Sequence, residues 1–175
     1  MKQVMVKILF AVIVLPVFMI VSCSAPEYIK PTTYVVEKDR AIGISFDTVW
    51  QKAVEWFATH NTPIKNIDKS SGLISTEYIM SIDEAMQYMS CGSGESNFSG
   101  KVELTNHSGN FNVIIKKIDE NSTKVTVNVF FGCMVNNYRY ESLLSTDYVL
   151  ESSRRTTCNS TGRLEKEVLD YLSSR

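Results

Sequence analysis

Two runs of strict alternation constrain this chain more than anything else in it. Phe111, Val113 and Ile115 recur at every second position of Asn110–Ile118, and Val125, Val127, Val129 and Phe131 do the same in Lys124–Phe131. A period of two puts the apolar side chains of each run on one face, so both are half-buried antiparallel strands with one dry and one wet side. Asp119-Glu120-Asn121-Ser122 is the turn that joins them. The dry face has to be covered, and two amphipathic segments are available to cover it. In the first, Phe46, Val49, Trp50, Ala53, Val54 and Phe57 form a helical stripe with Trp56 at its edge, Ser45 placed to cap its start, and Asn61 and Pro63 to close it. In the second, Leu164, Val168, Leu169, Tyr171 and Leu172 form the stripe. Its start is expected near Cys158–Thr161, with Glu165 and Glu167 in the first half and Arg175 at the end, as the helix dipole prefers.

The remaining segments fill in an α+β order. Pro63–Asp68 and Leu73–Met80 flank the polar turn Lys69–Gly72 and read as a hairpin. Ser81-x-x-Glu84 has the spacing of a capping box and opens a short helix with Ile82, Ala85, Met86 and Met89 on one side, ending near Cys91-Gly92. Residues 92–100 are Gly- and Ser-rich and read as a loop, Lys101–Thr105 as a strand, and Asn106–Gly109 as a turn. Tyr34–Ile44 reads as a strand, and Gly132–Tyr140 and Asp147–Thr157 add one or two more. The expectation is an antiparallel sheet with an N-terminal and a C-terminal helix packed on one face.

The first residues concern location, not fold. Lys2 and Lys7 precede an apolar run from Ile8 to Val21, which is interrupted by Pro16 and too short to be read as a membrane span. Ile20-Val21-Ser22-Cys23 resembles the lipobox of bacterial lipoproteins. That resemblance implies cleavage after residue 22 and lipidation of Cys23, and with more than one acyl chain the attachment is stable. Three segments follow: a signal peptide over 1–22, a tether over 23–33 carrying Pro26 and Pro31, and a single domain over 34–175. Ser24 is not the aspartate that marks inner-membrane retention in many such proteins, so by the same resemblance the outer membrane is favoured, and the partners expected are the membrane and an envelope protein.

Two of the 18 Lys and Arg lie in the signal segment, so against 19 Asp and Glu the remainder carries a formal charge of −3. No basic field for nucleic acid exists. An exported chain meets an oxidising compartment, where two of Cys91, Cys133 and Cys158 can pair and leave one over. Their spacings are too wide for a CxxC motif, and only His60 and His107 could supplement them, so neither a metal site nor a cofactor is expected. His60 is placed to meet the last carbonyls of the first helix, while His107 falls in a turn far from the cysteines in sequence, and no nucleophile–base pair emerges. The chain reads as a non-enzyme. Either it is a scaffold or interaction module, or it carries a small apolar ligand between sheet and helix, where Trp50, Phe57, Tyr78, Phe111 and Phe131 could equally fill the space.

Two longer stretches carry a further resemblance. FDTVWQKAVEWF followed by IKNIDKSSGLISTEY, and TTCNSTGRLEKEVLDYL near the end, are similar to segments of small outer-membrane lipoproteins with a BamC-like or helix-grip domain. Over residues 34–172 the resemblance implies helices gripping a curved antiparallel sheet, and it brings no active site. It also implies a Cys91–Cys158 disulfide with Cys133 as a spare buried thiol beside Phe130 and Phe131; Cys133–Cys158 is the second pairing. The long loop that Cys91–Cys158 would close corresponds to roughly 4 kcal/mol by chain-entropy reasoning.

Overall fold

The computed structural model describes residues 24–76, 81–142 and 145–174. The signal segment, Cys23, Tyr78 and Arg175 lie outside the described residues. The architecture is α+β, an open antiparallel sheet of eight strands with helices on its dry face. Its spine is β8 (Gly100–Lys117) and β9 (Thr123–Tyr140), two 18-residue strands joined by the Asp119–Ser122 turn, with β10 (Tyr148–Ser160) along the far side of β9. The hairpin β3 (Ile64–Asp68) and β4 (Leu73–Thr76) extends the sheet beyond β8, as the polar turn between them requires. Gly72 closes that turn at φ +72°, where a Cβ would stand 2.0 Å from the Ile115 carbonyl oxygen, so no larger residue fits. β2 (Asp39–Ile42) pairs with the start of β9, and β5 (Met89–Ser90) with the end of β10.

Helix α1 (Phe46–Thr59) and helix α3 (Arg163–Ser173) lie side by side over the turn-proximal half of β8 and β9. Phe111, Val113, Ile115, Val125 and Val127 rise from the sheet into Val49, Trp56, Phe57, Val168, Leu169 and Leu172, all at or below 3% exposure. This is the alternation and the two stripes closing on each other. Trp56, expected at the stripe's edge, is inside, stacked on His60 at 4.3 Å. His60 Nδ1 lies 2.8 Å from the Trp56 carbonyl and donates to it, the C-terminal capping role expected. Ser45 occupies the N-cap of α1 but its side chain caps no backbone amide, its Oγ meeting the Thr48 Oγ1 of the first turn at 3.0 Å. The short helix α2 (Ile82–Tyr88) does have its capping box, Ser81 Oγ accepting from the Glu84 amide and the Glu84 carboxylate from the Ser81 amide.

Several expected boundaries move, each for a local reason. The Asn106–Gly109 turn is instead a bulge within β8: Asn106 takes a left-handed φ of 49°, the register shifts between Thr105 and Ser108, and the strand continues. The C-terminal helix does not begin at Cys158–Thr161, because β10 stays paired through Ser160 and Gly162, at φ +82°, turns the chain into α3. Only Asp39–Ile42 of the Tyr34–Ile44 run is strand, and the 92–100 loop contains the two-residue strands β6 (Ser93–Gly94) and β7 (Ser96–Asn97).

The segment expected as a tether is bound to the fold. Ser24 begins at the open end of the sheet, β1 (Tyr28–Ile29) pairs with β6, Asn159 Nδ2 donates to the Thr32 carbonyl at 3.0 Å, and the chain reaches β2 near the β8–β9 turn. It thus runs the length of the sheet. Its far end is held to α3 by Arg40, which grips Glu37 at 2.6 Å and Asp170 at 2.9 Å. Hydrogen bonds from Arg40 to Glu37, and from Lys166 and then Arg40 to Asp170, hold both carboxyls below the ordinary carboxylate range. A depressed carboxylate stabilises the fold above its unfolded pKa and ceases to as pH falls through the folded one. The protection factors of the Arg40–Ile42 amides, compared with those of the β8–β9 core, should therefore fall as pH drops below about 4 and hold steady between neutral pH and that point.

Candidate functional site

The chemistry-bearing residues meet halfway along the sheet. Cys158 on β10 stands opposite Phe131 of β9, and Cys133, two residues further along β9, shares its face by the period of the strand. On the other side of β10, Asn159 pairs with Ser90 and Ser160 with Met89, and continuing that register brings Cys91 against Cys158. The two are disulfide-bonded with a Cα–Cα distance of 4.3 Å, the close approach of a directly opposed antiparallel pair. Gly92, at φ +82°, follows for a steric reason: a Cβ there would lie 2.0 Å from the Ile29 carbonyl oxygen, so only glycine lets the N-terminal segment cross the disulfide. Tyr28 Oη fastens that crossing by donating to the Cys91 carbonyl at 2.8 Å.

Cys133 is the free thiol, 1% exposed, and the three sulfurs lie within 4.8 Å of one another. Burial pushes the Cys133 thiol above its ordinary pKa, against the pull of the nearby Arg154 and Arg155. The nucleophile in disulfide exchange is the thiolate, so a buried, protonated Cys133 is a poor attacker of the bond beside it. Among the described residues the three cysteines are the group whose ligand atoms come close enough for one metal ion, but two of the three sulfurs are committed to the disulfide. In the folded, oxidised protein Cys133 should resist iodoacetamide and in denaturant take up one equivalent beyond any that reacts at Cys23, as read by intact mass; rapid alkylation of Cys133 without denaturant would contradict its burial.

His107 is the residue that spacing did not connect to this site. The bulge places Asn106 and His107 opposite the single residue Cys133, between the pairs Thr105–Met134 and Ser108–Gly132. His107 faces an open cleft of about 420 Å³ lined also by Tyr34, Ile82, Met86, Met89 and Leu104, with Cys91 in its wall. Burial holds the His107 pKa below the ordinary imidazole value. The signal that could have located it is the Asn106 that precedes it, a residue tolerant of left-handed backbone at the start of a bulge. Cys23, the expected lipid carrier, lies outside the described residues, immediately before Ser24.

The dry face between the sheet and the two long helices is filled by Trp50, Phe57, Phe111 and Leu169, and the cleft lies instead beside α2. Beyond the disulfide, β8, β9 and β10 continue together, with β7 added to the start of β8. On its outer side β10 is paired, among the described residues, only at Asn159 and Ser160, by β5. From Tyr148 to Thr157 no described residue pairs with that edge. No protein-family model matches the chain, and no curated protein or solved structure does.

Proposed function

We propose that this chain is a lipid-anchored protein of the bacterial envelope, similar to the small BamC-like lipoproteins, that works as a non-catalytic interaction module. The observation that carries the reading is the ten-residue open edge of β10, Tyr148–Thr157, whose unpaired amides and carbonyls can accept a strand from a partner. The anchor reading rests on Lys2, Lys7, the apolar run and Cys23, and it favours the outer membrane. Among the described residues no helix is long and apolar enough to cross a membrane. The non-catalytic reading is supported by a thiol that burial keeps protonated beside a closed disulfide.

The test is site-specific photo-cross-linking in cells that export the full chain. A photoreactive residue at Ser153, on the open edge, should give one adduct of defined mass, and the same residue at Glu55, on the exposed side of α1, should give none. Monomer alone from both positions would remove the edge as an interface. The cleft beside α2 favours a second reading, a carrier of a small apolar ligand, since Ile82 and Met86 leave apolar surface exposed there. Native mass spectrometry of the protein extracted from its own membrane separates the two, as an added small apolar mass supports the carrier and an added protein mass the module.

A further inference from the structure

The path of the N-terminal segment fixes which end of the molecule an anchor would hold. The Ser24 carbonyl accepts hydrogen bonds from Asn97 Nδ2 at 3.0 Å and from Ser99 Oγ at 3.2 Å. Cys23 is one peptide bond before Ser24, and consecutive Cα atoms are about 3.8 Å apart, so a lipid carried on Cys23 would join the chain next to the residue that the 97–99 turn holds. That turn is the extremity of the sheet. Asn97 pairs with Gly100 and Gly100 with Arg139, so Phe98 sits at the tip, level with the far end of the β9–β10 hairpin. By strand length the β8–β9 turn, with α1 and α3 near it, lies roughly 50 Å away.

The side chains at this end form their own pattern. Phe98 is 68% exposed and Leu150 51%. Tyr140 and Tyr148 stack at 4.7 Å with their hydroxyls 3.0 Å apart, and the Lys101 ammonium lies 4.9 Å from the Tyr148 ring and 5.2 Å from that of Tyr138. Tyrosine and lysine around exposed apolar side chains are the composition that settles where hydrocarbon meets headgroup: the rings and stems enter, while hydroxyls and ammonium stay wet. The acids here are Glu103, paired with Lys101 at 3.4 Å, with Glu95, Glu141 and Asp147. They outnumber the cations Lys101 and Arg139, so the surface has no net attraction for anionic lipid, and apolar and aromatic contact would have to carry it.

We propose that this end of the sheet, presenting Phe98, Lys101, Tyr138, Tyr140, Tyr148 and Leu150, is seated in the interfacial layer of the bilayer that holds the Cys23 lipid. The inference rests on the anchor reading. The sheet then stands upright on the membrane with α1 and α3 farthest from it, and the open edge of β10 begins at the membrane surface. A partner strand would come from a protein of the same membrane.

The experiment uses the full chain, exported and processed by a bacterial host, with its N-terminal mass determined before reconstitution. Vesicles of phosphatidylethanolamine and phosphatidylglycerol, with and without brominated acyl chains, serve as the probe. In Phe98→Trp the added emission should shift to the blue on binding and fall to about half with brominated lipid, because an interfacial ring lies within reach of the acyl chains. Trp50 and Trp56 of the unsubstituted protein, in α1, should be unaffected. Leu150→Trp repeats the measurement on the exposed strand edge, and high salt should not reverse either result. Acylated, vesicle-bound protein whose new tryptophans are quenched by aqueous iodide and not by brominated lipid would overturn the seating and leave the anchor reading intact. An N-terminus without acyl mass on Cys23 would overturn both.

Discussion

Phe111→Ala should lower the unfolding free energy by about 3–5 kcal/mol, the usual range for an aromatic side chain removed from a closed core. Phe111 is the point at which sheet and helix are locked. It is 1% exposed, its ring stacks on Phe57 of α1 at 5.3 Å, and Trp56 meets it edge-on at 5.8 Å. Both neighbours belong to α1, and Phe111 itself to a strand pinned by long hydrogen-bonded ladders, so the space left behind cannot easily collapse, and the cavity adds to the lost transfer energy. Phe111→Leu retains most of the volume and should cost under about half as much. Urea unfolding followed by tryptophan emission reads the difference as a lower midpoint at an unchanged slope. The experiment also bears on function. If this space served a ligand, truncation would enlarge a pocket at modest cost in stability, so a small loss for Phe111→Ala would argue against a packed grip and reopen the carrier reading at this face.

What the sequence disclosed and what it did not divide along a physical line. Elements whose pattern repeats locally were legible: the period of two in β8 and β9, the stripes of α1 and α3, and the Ser81–Glu84 box. Each follows from contacts within one element and the face it must bury. Features set by pairing between distant segments were not. Nothing in Asn106-His107-Ser108-Gly109 distinguishes a hairpin turn from a bulge, because the difference lies in whether β9 continues opposite it, and it does as far as Tyr140. The helical period accounts for Glu165 only as a dipole partner, yet it is fully buried at the start of α3, accepting from Ser160 Oγ at 2.8 Å. That follows from β10 running on to Ser160, which no helical period could indicate. The cysteine site is the clearest case. Positions 91, 133 and 158 share no spacing motif, and they meet only because β9 and β10 are neighbours and β5 adds itself to the far edge.

Replacing Cys91 and Cys158 together with alanine should lower stability by about 2–4 kcal/mol, toward the lower part of what the loop predicts, since relaxed denatured chains rarely return the full entropic value. The bond spans a sequence separation of 67, so it closes a loop containing β8 and β9, and its loss frees the denatured ensemble throughout the sheet. Locally, β5 is held to β10 by two residue pairs, and the N-terminal crossing by Tyr28 on the Cys91 carbonyl, so hydrogen exchange should rise first in α2, β5 and Tyr28–Ile29. Cys91→Ala alone should behave differently. It leaves Cys133 and Cys158 with their sulfurs within 4.8 Å, close enough for oxidation to join them once the strands yield slightly. The single variant, purified from an oxidising compartment, should therefore titrate with no free thiol in denaturant and lose less stability than the double variant, which retains Cys133 as its one free thiol. Two free thiols in Cys91→Ala would mean that the sheet holds Cys133 and Cys158 too rigidly to bond. The third cysteine would then be core filler, and the disulfide would have a single permitted partner arrangement.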